Sequence, residues 1–424
     1  DCKRQRARNK GTRVMKCRSC KSEELRNFLS LNNQPPANAF LKREDFNNEM
    51  SYPLELTFCS KCLLIQLTDQ SYVERDNLFL NYAYASSISG GLRNHFNEFA
   101  HKLKKYFPNA KSVVDIGSND GILLEPLLEM GFSAIGIEPA TNLASIANKN
   151  GLDTLCSYFD KETVDRIIGK IGNADIIIAA NVFAHLENYH EFIENVKLLL
   201  KEDGIFIFEV QYFADMLREL TFDNIYHEHV MYYTVHSLVN LFQIHKMNII
   251  DIEKIPTHGG SIRAYVSKSR DSRPTEINQN VFNLLQEEKS NQIGNFQIME
   301  EFSKKLEINI QEIFNLVNKI CNENKTIFGY GAPAKSSTII NSIGLNNKHI
   351  ELIIEDSPLK QGLFTPGSHI PITSPDILLE KKPDYLMIFA WNYADEIIKK
   401  VEKKYQPMNY IIPMPELKIV KNKD

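Results

Sequence analysis

The chain has 424 residues, 43 % hydrophobic and 24 % charged, an ordinary globular profile with room for two or three domains. Lysine and arginine total 49 against 53 acids, a net charge of −4, which excludes a global basic field for nucleic acid or anionic membrane. No apolar run approaches the ~20 residues of a membrane span, and the basic start from Lys3 to Arg13 lacks the apolar stretch of a secretory signal.

Met15-Lys16-Cys17 reads as a natural start, so residues 1–14 are expected to be a disordered upstream extension. Four of the seven cysteines form two C-x-x-C knuckles, Cys17/Cys20 and Cys59/Cys62, 38 residues apart. Without a signal peptide, such spacing points to metal in a reducing cytoplasm and not to disulfides. Two knuckles supply four thiolates, a closed tetrahedral zinc site with no position left for a reacting water, hence structural. The span between them carries Asn32, Asn33, Pro35 and Pro36 and predicts a loop-heavy module with little core. Cys156 and Cys321 are expected to be buried free thiols.

Next comes a segment dense in hydroxyls and aromatics, Asp76 to Ser89, including Tyr82, Tyr84 and Ser87. It fits either a lid over a ligand or half-buried strand residues, and a helical pattern follows from Gly91 towards Phe107.

Ser112-Val113-Val114-Asp115-Ile116-Gly117-Ser118-Asn119-Asp120-Gly121 is a β-branched strand running into a glycine turn and a helix start, the opening unit of a doubly wound α/β domain. A second strand ends in Glu138-Pro139, and Glu138 lies 21 residues past Gly117, where this fold brings an acid to a ribose diol. A dinucleotide site wants G-x-G-x-x-G with room for pyrophosphate. Here acids flank the first glycine and would repel phosphate, whereas the sulfonium and ammonium of S-adenosylmethionine favour them. The segment resembles motif I of class I methyltransferases. Strands are predicted at 112–116, 133–137, 152–156, 174–180, 204–210 and 248–254, and helices at about 120–130, 141–150, 161–170, 188–201 and 236–246.

The strand at 174–180 exits into Asn181-Val182-Phe183-Ala184-His185, at the carboxyl edge where ligands bind. Further on stands Tyr226-His227-Glu228-His229. Two histidines around a glutamate suit general acid/base work, because imidazole titrates near neutrality and a carboxylate can orient it. A metal site and a pair of structural histidines are the rival readings, and spacing does not choose between His227 and His229. His258-Gly259-Gly260-Ser261-Ile262-Arg263 exposes backbone N–H groups and offers a guanidinium fork suited to phosphate; a plain turn before a strand fits equally. After helical spacing between 270 and 320, Gly329-Tyr330-Gly331-Ala332-Pro333-Ala334-Lys335 repeats the strand, glycine turn and helix. Taken alone it is a dinucleotide fingerprint, with Asp356 as its acid.

The ordered set of C-x-x-C pairs, Y-x-Y-x-S-S, D-I-G-S-N-D-G, N-V-x-A-H, Y-H-E-H, H-G-G-S-I-R and G-Y-G-A-x-A-K resembles the sugar C-methyltransferase family acting on nucleotide-linked deoxysugars. The resemblance covers Met15 to the end. It implies an α/β chain with a zinc module (15–75), an S-adenosylmethionine domain of class I methyltransferase type (76–270), connecting helices (271–320) and a C-terminal Rossmann-like substrate domain without nicotinamide (321–424). It implies an NDP-4-keto-deoxysugar, often dTDP-linked, methylated beside the ketone.

Carried over by motif, His229 matches the family's base, with Tyr226, Glu228 and His185 beside the sugar. Tyr226 or a protonated His185 would hold an enolate oxygen. Asp115, Gly117, Ser118, Asn119, Gly121, Glu138, Asn181, Tyr82 and Ser87 would meet the cofactor. Tyr84, His258, Gly259, Ser261, Arg263 and Lys335 would meet the substrate, Lys335 at its diphosphate. O- or N-methylation of a related sugar is the nearest alternative, and a zinc-ribbon RNA-binding protein is the alternative of another class. Neither nucleic acid nor membrane is expected as a partner. The nucleotide, the methylated carbon and the oligomeric state, monomer or dimer, are not encoded in any motif.

Overall fold

A computed structural model describes residues 15–73, 90–269, 277–405 and 407–421. Three sheets organise the chain. Strands β1 (Leu25–Gln34), β2 (Tyr52–Cys59) and β3 (Ile65–Leu67) follow the first knuckle and form an antiparallel sheet. The central part contributes β4 (Ser112–Ile116), β5 (Ser133–Ile137), β6 (Thr154–Leu155), β7 (Ala174–Ala180), β8 (Leu200–Gln211), β9 (Met231–Tyr232), β10 (Met247–Ile255) and β11 (Ser261–Lys268). The C-terminal part adds β12 (Ile327–Tyr330), β13 (Ile353–Ile354), β14 (Ile372–Thr373), β15 (Tyr385–Ile388), β16 (Asn409–Ile412) and β17 (Lys418–Val420).

The zinc module has a sheet and a core, contrary to the loop-heavy expectation. Leu29, Leu31, Leu54, Leu56, Phe58, Ile65 and Leu67 are all buried. They share a cluster with Ile313 and Val317 of helix Phe296–Asn322 and with Ile340 and Ile353 of the C-terminal part. The apolar face is thus covered by partners far away in sequence, which local composition does not reveal. Strand β9, from the central part, extends this sheet by pairing with β3.

The central sheet has the order β10-β11-β8-β7-β4-β5-β6, with β11 antiparallel to both neighbours and the remaining pairs parallel. Strands β4, β5 and β7 span the residues expected, because each is a short apolar run buried on both faces. The strand expected at 152–156 shortens to two residues, and that expected at 204–210 lengthens to Leu200–Gln211. The C-terminal sheet, β14-β13-β12-β15-β16-β17, is parallel except at β17. Helices Gln279–Ser290 and Phe296–Asn322 join the two. Among the described residues, no helix is long and apolar enough to cross a membrane.

Both α/β sheets change direction beside a central strand, at β4/β7 and at β12/β15. In such sheets a crevice opens outside the carboxyl ends of the strands at that point. The two crevices face each other. Between them lies a single cavity of about 670 Å³, within the range of small-molecule sites.

Candidate active site

The zinc ligands come first in the chain. Cys17 Sγ lies 3.5 Å from Cys62 Sγ and Cys20 Sγ 3.6 Å from Cys59 Sγ, and all four sulfurs fall within 4.8 Å of one another. A tetrahedral zinc with bonds of ~2.3 Å needs S–S edges of roughly 3.8 Å, so the donor set fits zinc. Both knuckles close alike: Lys21 and Leu63, each following the second cysteine, have φ near 60° and donate N–H to the carbonyls of Cys17 and Cys59. Of the remaining thiols, Cys156 is exposed and Cys321 partly exposed, so neither is the buried thiol expected.

One wall of the cavity is the glycine loop after β4. Gly117 takes φ 70°, and a Cβ there would lie 2.4 Å from Val182 Cγ2, so both conformation and space demand glycine. Glu138 closes the loop from the end of β5. Its Oε2 accepts from Asn119 N–H (2.9 Å) and its Oε1 from Ala140 N–H (2.8 Å). Burial raises its pKa, and those two N–H groups oppose the rise. Asp115 is pushed well above the usual carboxylate range by burial, with Glu138 and Glu209 adding to it. Ser118 Oγ and Asn181 Oδ1 are buried here with no hydrogen-bond partner among the described residues, and both residues line the cavity. Among the described residues, this side offers carboxyls, unpaired polar atoms and no lysine or arginine, which suits a cationic nucleoside and disfavours a pyrophosphate.

The C-terminal wall repeats the device and adds lysines to its acids. Glu355, at the end of β13, accepts from Ala332 N–H (2.7 Å) and Ser357 N–H (2.9 Å), as Glu138 does from Asn119 and Ala140. Asp356, the acid expected for a dinucleotide, instead pairs with Lys400 at 2.5 Å. Among the described residues, the lysines facing the cavity, Lys335, Lys360 and Lys400, all belong to this wall. Lys335 Nζ donates to the His258 carbonyl (2.8 Å) and lies 3.9 Å from Asp223, whose Oδ2 accepts from Trp391 Nε1 (2.7 Å). Burial lowers the pKa of Lys335 while Asp223 raises it.

Between the walls stand the histidines. His229 is 2 % exposed, and its Nδ1 lies 2.8 Å from the Asn224 carbonyl, which can only accept, so Nδ1 carries the proton. Nε2 is then an acceptor, and the Tyr226 hydroxyl donates to it at 2.8 Å. Burial first, then His185, depresses the His229 pKa well below the ordinary value. The residue is a neutral imidazole with a fixed tautomer. His185 packs edge-on against it at 4.8 Å between ring centroids. Burial lowers the His185 pKa to about 4, so the protonated His185 expected from sequence is corrected to a neutral ring.

Comparison with known proteins decides the family. The chain is 33 % identical to the C-methyltransferase NovU of Streptomyces niveus over 412 residues, 96 % of this chain and 97 % of that one. It belongs to the same C-methyltransferase family. Three family models match in order: a zinc binding domain at 17–79, a methyltransferase domain at 88–249 and a C-methyltransferase C-terminal domain at 256–415. A shorter match of 33 % identity over 101 residues is to a ubiquinone biosynthesis O-methyltransferase of Glaesserella parasuis, covering 22 % of this chain and 43 % of that one. Among solved structures, the magnesium protoporphyrin IX methyltransferase of Synechocystis is 13 % identical with a TM-score of 0.32, over 42 % of this chain and 80 % of that one. The C-methyltransferase uses S-adenosylmethionine as methyl donor and zinc as its structural metal.

The cavity gathers Asp115, Gly117, Ser118, Asn119, Glu138, Asn181, His185, Tyr226, His229, His258 and Lys335. Other expected residues fall elsewhere. Gly121 packs against Leu152 and Ala147 and serves the turn into the helix. Gly259 lies under Trp391, where a Cβ would come within 2.5 Å of the ring, and Ser261 Oγ donates to the Thr257 carbonyl. Arg263 does not meet phosphate. Its guanidinium is buried against Glu209 (2.6 Å) and Glu253 (3.2 Å) on the neighbouring strands, because β11 turns it into the sheet's flank beneath Phe99. The Glu228 carboxylate is off the wall and accepts from Asn38. Tyr82, Tyr84 and Ser87 lie outside the described residues. Sequence reading missed Asn38, Lys360 and Trp391, which no motif marks.

Proposed function

We propose that this C-methyltransferase methylates the carbon α to the ketone of an NDP-4-keto-deoxysugar, in a reducing cytoplasm. The observation that carries the reading is the neutral, tautomer-fixed His229 whose Nε2 takes the Tyr226 hydroxyl. A carbon acid beside a carbonyl needs a neutral base and a donor for the developing enolate oxygen. Here one hydroxyl links both tasks. When the Tyr226 O–H turns from His229 Nε2 to the substrate carbonyl oxygen, it stabilises the oxyanion and uncovers the lone pair that removes the α-proton. His185, neutral, bounds the same space. Bound S-adenosylmethionine supplies an electrophilic methyl group; Ser118, Asn119, Glu138 and Asn181 would hold it, and Asp115 would face its positive charge.

The placing of the cavity's lysines supports a nucleotide-linked substrate. Phosphates would be repelled from the acidic wall and met by Lys335, Lys360 and Lys400 opposite, and Glu355 stands where the C-terminal glycine loop would receive the nucleoside.

The experiment is deuterium wash-in. Enzyme, S-adenosylhomocysteine and a dTDP-4-keto-6-deoxysugar are incubated in D₂O, and the C3 and C5 proton signals are followed by NMR. Enzyme-dependent loss at one carbon, abolished by His229→Asn, supports C-methylation and names the carbon. No exchange on any 4-keto sugar nucleotide, with methyl transfer to oxygen or nitrogen instead, refutes it.

A further inference from the structure

The loop between the knuckles does more than connect them. We infer that Asn38, carried by the zinc module, is a substrate-orienting residue that presents a hydrogen-bond acceptor to a sugar hydroxyl, with Glu228 holding it in place. The inference deepens the proposed function and rests on it.

Segment 34–41 is fixed against the C-terminal part at several points. Gln34 Nε2 donates to Ser342 Oγ (2.9 Å), Ser337 Oγ donates to the Ala37 carbonyl (2.8 Å), and Leu41 exchanges two backbone hydrogen bonds with Phe364. The Phe40 ring lies under the Lys360 ammonium at 4.8 Å. A loop needed only to connect zinc ligands has no use for this docking. Its result is that Asn38 reaches the cavity wall, where Lys360 also lies.

The orientation of the Asn38 amide follows from its partner. Nδ2 lies 2.7 Å from Glu228 Oε1. Glu228 is 1 % exposed, and as a carboxylate it only accepts, so the amide must turn its NH₂ inward. Oδ1 is then directed away from Glu228, and no described residue donates to it. A carbonyl held this way complements an O–H donor, and sugar hydroxyls beside the reacting carbon are such donors. The Lys360 ammonium, which donates to the Ala332 carbonyl (2.7 Å), feels the charge of the same carboxylate: burial lowers its pKa, and Glu355 and Glu228 raise it. Glu228 therefore acts through Asn38 and is a positioning residue.

The test uses the zinc-loaded full chain with dTDP-, UDP- and GDP-linked 4-keto-6-deoxyhexoses. Asn38→Ala is expected to raise KM for the accepted sugar nucleotide about tenfold, the loss of one hydrogen bond, with S-adenosylhomocysteine affinity and zinc content unchanged. Asn38→Asp sets two carboxylates against each other and is expected to raise KM further. The reciprocal pair Asn38→Asp with Glu228→Gln restores one donor and one acceptor, and is expected to recover KM relative to Asn38→Asp alone. Unchanged KM in Asn38→Ala overturns the inference. So does parallel loss of cofactor affinity or zinc, which marks a folding role, or a reciprocal pair that recovers nothing. No turnover of any of the three sugar nucleotides by the wild type, with S-adenosylhomocysteine still bound, overturns the functional reading and this inference with it.

Discussion

The Tyr226 hydroxyl sits 2.8 Å from His229 Nε2, three residues along the same loop, and occupies the only lone pair that the imidazole has left. The proposed base and the proposed oxyanion donor are therefore coupled, and removing either should show in different kinetics. His229→Asn should reduce turnover by ~10²–10⁴, the range of general-base catalysis, with S-adenosylhomocysteine affinity unchanged by calorimetry. Tyr226→Phe uncovers Nε2 but removes the donor, so kcat should fall by ~10²–10³ while wash-in persists at a reduced rate. Equal wash-in with and without the tyrosine hydroxyl would remove it from the oxyanion role.

The depressed His229 pKa sets the pH profile. A base must be neutral to work, and burial keeps this one neutral below the ordinary histidine range. The acid limb of kcat/KM should therefore lie well below the ordinary histidine value near 6.5. A limb at 6.5 would mean that the reacting base is solvent-exposed.

Stability should fall on the same side. His185 titrates at about 4 in the folded chain and near 6.5 when unfolded. The unfolded state then binds more protons below pH 6.5, and stability is lost as pH falls from there towards 4. His185 alone contributes about 3 kcal/mol over that window. Urea midpoints at pH 7.5, 6 and 5 measure it, and His185→Gln should flatten the slope.

Arg263 separates structure from substrate binding. It is clamped between Glu209 and Glu253, with His95 2.9 Å from Glu209 on the other side. Burial pushes the Glu209 carboxyl up, but His95 and Arg263 together outweigh this and hold it below the usual range. Arg263→Met should cost about 3–5 kcal/mol, because it leaves a buried carboxylate short of a partner. The refolded fraction should show an unchanged KM for the sugar nucleotide. A raised KM at unchanged stability would return Arg263 to the substrate.

Zinc removal tests the shared core. The knuckles hold β1–β3, whose apolar face packs on helix Phe296–Asn322 and the C-terminal sheet. Chelation, or Cys59→Ser, should therefore lower the melting temperature of the whole chain and not only disorder residues 17–62. Metal content and calorimetry on the same samples decide it; an unchanged main transition would show the zinc module to be energetically separate.

The sequence by itself determined the strands of the doubly wound parts and the chemistry of their loops. Val113-Val114 and Ile176-Ile177-Ile178 are buried on both faces, so an apolar run and a glycine turn suffice to read them. The four zinc thiolates were readable for a similar reason, since knuckle spacing is local. Contacts across the chain were not. Leu29 and Leu56 share a core with helix Phe296–Asn322, far onward in the chain, Arg263 is claimed by carboxylates on two adjacent strands, and Glu228 by an asparagine 190 positions away. Which face of a loop meets the cavity, and which charge a buried arginine answers, are settled by packing between distant segments. Only the tertiary structure set Asn38 and the Tyr226–His229 pair around one space, with Glu228 behind Asn38, because the burial that keeps His229 neutral is made by segments distant in sequence.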